Sequence, residues 1–154
     1  MRALLSKQLF TQLRMECLSA HDRSTKPSGF PRRFCRWGGL LGHWCVWVKP
    51  AVEYLARAHG AIAAGTVDAA LLQLDSQITD ANGALFDVVN KFAGVIAGCH
   101  EVLRRQGLLQ GAWCLNPDEV MSSSQEAELD RVIANYPHLC DDDFVAANIQ
   151  RWLD

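Results

Sequence analysis

No apolar run in this chain approaches the roughly 20 residues that a bilayer-spanning helix needs. The longest, Gly38 to Val48, is far shorter and is interrupted by His43. The first 20 residues lack an unbroken apolar core and a small-residue cleavage site, so no secretory leader is expected. The nucleotide-binding signatures G-x-G-x-x-G and G-x-x-x-x-G-K-[ST] are missing, which excludes the two commonest phosphate cradles. G-x-S-x-G and H-E-x-x-H are missing too, which removes the serine-hydrolase elbow and the zinc-protease helix. There is no internal repeat. Strong charge of one sign is also lacking overall: the net charge is -2, which favours neither nucleic acid nor an anionic membrane surface.

What is present divides unevenly. Residues 1–50 hold nine Lys or Arg against two acids, a balance of +7, and residues 51–154 hold six against fifteen, a balance of -9. Six cysteines (Cys17, Cys35, Cys45, Cys99, Cys114, Cys140) show no repeated short spacing, and without a leader they read as reduced thiols in a cytoplasmic chain. Over residues 1–19, Leu4, Leu5, Leu9, Phe10 and Leu13 recur at helical spacing with Arg2, Lys7 and Arg14 between them, a short amphipathic helix. These basic residues would also suit an organellar leader, although Glu16 runs against that. Pro27, Ser28, Gly29 and Pro31 make residues 21–36 a linker. Residues 37–50 carry no clear period, and Cys45–Lys49 reads as one short strand stopped by Pro50.

From Ala51 onward the pattern is helical. A first helix over 51–64 ends at Gly65, and Thr66 is the expected cap of the next, with Asp68 in its first turn. That second helix carries a stripe of Val67, Ala70, Leu71, Leu74, Ile78, Ala81, Leu85 and Val88, all on one face. A third, over 92–106, turns Val95, Ile96, Cys99, Val102 and Leu103 inward and closes on Arg104, Arg105 and Gly107. Residues 108–121 form a loop. Ser123 with Glu126 makes a capping box for a helix to Asn135, Pro137 closes that segment, and Asp141 caps a last helix over 142–153. The fold class expected is therefore mainly α.

Few residues here can be argued into chemistry. Cys35, His43 and Cys45 have zinc-ligand chemistry, but C-x7-H-x-C lacks the tight paired spacing of a structural site, and a fourth ligand would have to come from Cys17 or His21. Asp141, Asp142 and Asp143 lack the alternation of a calcium loop and read as helix-capping acids. His59 and His138 are lone histidines, and His100 beside Glu101 has no second histidine at ligand spacing. A Schiff-base lysine needs desolvation or a neighbouring cation to release its proton. Lys49, at the end of the strand-like segment, and Lys91, at a helix junction, are the two lysines weighed for that role.

The run Glu53-Tyr54-Leu55-Ala56-Arg57-Ala58, followed by Ala63-Ala64-Gly65-Thr66-Val67-Asp68-Ala69-Ala70, resembles the segment after the last barrel strand of the dihydrodipicolinate synthase / N-acetylneuraminate lyase family. Leu85-Phe86-Asp87 and then Glu101-Val102-Leu103-Arg104-Arg105-Gln106-Gly107-Leu108-Leu109 resemble its closing helix, with Cys99-His100 where the family often has lysine. Residues 113–152 look like the C-terminal extension of some members. The resemblance implies residues 51–154 as the helical C-terminal region of a (β/α)8 barrel protein, a Schiff-base aldolase acting on pyruvate or another 2-oxo acid. It also implies a catalytic lysine on a barrel strand, a proton-relaying tyrosine and an early carboxylate-binding loop, and none of these matches a position here. Tyr54 and Tyr136 fit neither role, so no catalytic, cofactor-binding or metal residue carries over. A barrel takes about 250 residues and assembles its site from several strand ends, so this chain is expected to be incomplete and inactive alone. The 2-oxo acid belongs to the full-length parent, and exposed helix faces would favour a homo-oligomer. Residues 1–50 match nothing in the family, and one reading makes them a misread or rearranged stretch. The alternative function is an independent helical interaction module.

Overall fold

The computed structural model describes residues 43–153, which form one compact unit. The helix expected over 1–19, the linker over 21–36, and Cys17, His21 and Cys35 lie outside the described residues. Among the described residues there are helices and no strand. They are α1 (His43–Val46), α2 (Val48–Ala64), α3 (Ala69–Leu85), α4 (Val95–Arg105), α5 (Gln125–Asn135) and α6 (Asp142–Leu153). Two single 3-10 turns, Val88–Asn90 and Pro137–Leu139, sit before α4 and α6.

The strand expected at Cys45–Lys49 is helix instead. Trp47 N–H bonds to His43 O at 3.1 Å and Ala51 N–H to Trp47 O at 3.3 Å, so one turn runs into the next. Pro50 is the third residue of α2, where the backbone N–H has no intrahelical partner to lose. Burial of Val46 and Trp47, at 3% and 1% exposure, overrides the strand preference of a Val-Trp-Val segment.

The predicted end of α2 is where the glycine placed it. Gly65 is left-handed at φ 69, and Thr66 N–H reaches back to Ala61 O at 3.2 Å. The cap of α3 is Asp68 rather than Thr66: its carboxylate accepts Leu71 N–H at 2.6 Å, and the helix begins at Ala69. Val67 and Val88 fall beyond the helix ends. Of the stripe, Leu74, Ala81 and Leu85 are buried while Leu71, Ile78 and Val88 pack at the margin. They meet Leu129 and Val132 of α5 and Val102 of α4, with Val46, Trp47 and Leu139 closing the ends of the core. Fully burying a side chain such as Leu85 or Leu129 contributes about 1.5–3 kcal/mol each.

Other boundaries moved for local reasons. α4 starts at Val95, not at 92, because Asp87, Lys91 and Phe92 are left-handed (φ 54, 58 and 68) and wind residues 86–94 into a tight turn. Ile96 faces out, and the buried positions of α4 are Ala97, Gly98, Glu101 and Val102. Ser124, not Ser123, precedes α5, and it makes no side-chain cap bond. The first residue of the helix, Gln125, instead reaches into the core, where its Nε2 donates to carbonyls of Leu85 and Gly94. Asp141 turns its carboxylate away from its own helix, accepting Lys49 N–H at 3.2 Å and Gln106 Nε2 at 2.8 Å.

Candidate functional site

Neither lysine is desolvated. Lys49 stands at the edge of an apolar hollow but remains exposed, and its Nζ donates to Glu53 Oε1 at 2.6 Å one helical turn on. Lys91 is exposed in the left-handed turn before α4. Tyr54 donates its hydroxyl to His138 O at 2.6 Å, and Tyr136 donates to Asp80 Oδ2 at 2.8 Å. Both phenols thus hold the fold together, and the Asp80 bond raises the Tyr136 hydroxyl above its ordinary value.

The remaining candidates do not converge. His43 is buried while Cys45 is exposed, so α1 points them in opposite directions. No group of three His, Cys, Asp or Glu is placed to hold a metal among the described residues. His59 lies exposed on α2, and His138 meets Gln77 Oε1 at 2.8 Å. His100 Nδ1 faces Trp113 O at 2.9 Å, with Cys114 Sγ 3.9 Å away. A carbonyl only accepts, so that nitrogen carries the proton and cannot take one from the thiol. Burial, together with the charge of Glu119, raises the Cys114 thiol further. Burial pushes the Cys99 and Cys140 thiols up to about 12, which leaves them as core residues rather than nucleophiles.

Glu101 is held by Arg104 Nε at 2.7 Å and Arg105 Nε at 2.7 Å, and the Arg104 hydrogen bond foremost brings its carboxyl down to about 2. This pairing explains how an acid is buried in α4. Its signal, E-x-x-R-R, stands in the sequence at i+3 and i+4.

One buried group has no partner on either ring nitrogen. His43 is 4% exposed, packs edge-on against Trp47 at 5.3 Å, and desolvation lowers its pKa to about 4. Between the ordinary value of 6.5 and about 4 the unfolded chain binds a proton that the folded chain refuses. Stability therefore falls as pH drops through that window and is unaffected by this group above it. At about 1.4 kcal/mol per pKa unit the full loss is about 3 kcal/mol. Urea denaturation of wild type and His43→Leu at pH 7 and pH 4 checks it. The stability gap should move toward the variant by about that amount on acidification, and a gap that does not move refutes a buried neutral imidazole.

Two concave surfaces lie on either side of Lys49. One is an apolar hollow of about 410 Å³ between α2, the end of α4 and α6, with Val48, Val52, Leu103, Phe144 and Trp152 among its walls. A second, also about 410 Å³, shares Lys49, Glu53, Asp141 and Phe144 and adds Asp142 and Asp143. Lys49 Nζ stands 5.8 Å above the Phe144 ring, dividing the two, and Trp152 meets Phe144 edge-on at 5.7 Å. Val48 and Val52 repeat at i, i+4 and Phe144 and Trp152 at i, i+8, so each pair shares a face. Their meeting depends on residues more than 90 positions apart, which no local pattern encodes. Comparison with protein-family models, with curated proteins and with solved structures finds no match. No helix among the described residues is long and apolar enough to cross a membrane.

Proposed function

We propose that this chain carries the helical C-terminal region of a lyase of the dihydrodipicolinate synthase / N-acetylneuraminate lyase family and performs no imine chemistry alone. The observation that carries the reading is the run from Glu53 to Leu109, with its Gly65 turn, long central helix and closing Arg104-Arg105-Gln106-Gly107-Leu108-Leu109. The substrate of the parent would be pyruvate or a related 2-oxo acid. The environments of Lys49 and Lys91 support inactivity of the separate chain, because an attacking amine must be desolvated or stand beside another cation, whereas both lysines are exposed and Lys49 is paired with the Glu53 carboxylate.

Borohydride reduction in the presence of pyruvate tests this directly. Intact-mass measurement should show no reduced adduct on the chain, and a stoichiometric adduct on Lys49 or Lys91 would overturn it. Reading the upstream DNA in all frames tests the family origin: a barrel with its strand-end lysine supports it, and unrelated sequence removes it.

A second reading, a helical interaction module, is favoured by the apolar hollow at Phe144. Val48, Val52, Phe144, Trp152 and Leu153 are all exposed there or beside it. The α3 stripe is not available for docking, since Leu74, Ala81 and Leu85 are inside this domain's own core.

A further inference from the structure

The paired hollows differ from an ordinary exposed apolar patch in their charge. Their lining holds one cation, Lys49, and four acids, Glu53, Asp141, Asp142 and Asp143, a balance of -3. Glu53 partly neutralises Lys49 at 2.6 Å, and Asp141 is buried on Lys49 N–H and Gln106. Asp142 accepts Gln106 Nε2 at 2.8 Å, while Asp142 and Asp143 remain exposed at the start of α6. Beside this acidic rim stands an apolar floor of valines and aromatics, bounded by α2 and α6. Two helices flanking an apolar trough suit a third helix that presents residues at i, i+3, i+4 and i+7. An acidic partner would meet like charge at the rim, and a basic one opposite charge.

We propose that this face binds a basic amphipathic helix of a partner protein, its apolar side in the hollow at Val52, Phe144 and Trp152 and its Lys or Arg side chains against Glu53, Asp142 and Asp143. The inference rests on the interaction-module reading and names the partner's chemistry.

The test uses the full chain and three labelled synthetic peptides of about 15 residues. One has leucines at helical spacing with lysines between, one has glutamates in place of the lysines, and one scrambles the lysine peptide. Fluorescence anisotropy should show saturable binding of the first, at least tenfold weaker binding of the scramble, and none of the acidic peptide. Trp152→Ala and Asp143→Lys, both at exposed positions, should each weaken binding about tenfold while thermal melts stay unchanged. Equal binding of the scramble, or indifference to both variants, overturns the proposal. Binding of the acidic peptide alone overturns the stated partner chemistry but leaves the module reading standing, whereas no binding of any amphipathic peptide removes both. Light scattering that shows a dimer abolished by Trp152→Ala would make the occupant a second copy and would also overturn it.

Discussion

Gly98→Ala should cost about 3–5 kcal/mol or leave the domain unfolded. Gly98 lies in α4 where that helix crosses the end of α3. A methyl group there would stand 2.6 Å from Leu85 O and 2.3 Å from Gln125 Nε2. The first neighbour is backbone, so it cannot swing aside, and the second is a buried amide already tied to three carbonyls. Overpacking of a tight core typically costs 1–3 kcal/mol, and displacing the amide adds unpaired carbonyls at 1–3 kcal/mol each. In a domain of this size each kcal/mol moves the melting temperature by about 4–8 °C, so calorimetry should record a fall of 12 °C or more, roughly. Gly83→Ala is the matched control. It is also helical, but a Cβ there meets nothing within 4 Å, so the same change should stabilise by about 0.5–1 kcal/mol through helix propensity. If the two substitutions behave alike, the close crossing at Gly98 is wrong.

Gln125→Glu is the second large effect. Gln125 is 1% exposed, and its Nε2 donates to Gly94 O at 3.0 Å and Leu85 O at 3.2 Å, with Ala84 O at 3.5 Å. A glutamate has nearly the same shape but no donor when ionised, and it would point a carboxylate at three carbonyl oxygens. The group must either stay charged without a partner or take up a proton, and both states are costly in a dry core. We expect a loss of about 4 kcal/mol at pH 7, partly recovered at lower pH as the carboxyl takes a proton and regains one donor. Chemical denaturation at pH 7 and pH 5 reads both parts. A variant as stable as wild type at pH 7 would mean that the amide does not clamp the turn between α3 and α4.

These two sites also show where sequence reasoning stops. The end of α2 at Gly65, the close of α4 at Arg104, Arg105 and Gly107, and the last helix over 142–153 obey rules that act within a few residues, and they were legible. Cys45–Lys49 was misleading because Val and Trp favour strands locally, while burial against α3 and α4 determines their actual state. Asp87, Lys91 and Phe92 take left-handed backbone that side chains seldom adopt, so a helix continuing from 92 was the natural expectation. Asp87 stabilises that turn by accepting Gly94 N–H at 3.0 Å, Asn90 Nδ2 at 2.7 Å and the Ser122 hydroxyl. The last of these partners is remote in sequence. The hollow at Phe144 was illegible for the same reason: Val48 fell in the segment read as a strand, and no local pattern sets Val52 beside Phe144 and Trp152, more than 90 positions away.

The carboxylate of Asp141 accepts an otherwise orphaned N–H in the first turn of α2, 92 positions earlier in the chain, and also grips Gln106 just beyond α4. A helix start is ordinarily satisfied by a side chain a few residues away, so it can form and melt by itself. Here that duty falls to the opposite end of the domain. Unwinding of the first turn of α6 therefore withdraws an acceptor from the start of α2, so two helix starts far apart in the chain are joined through one carboxylate.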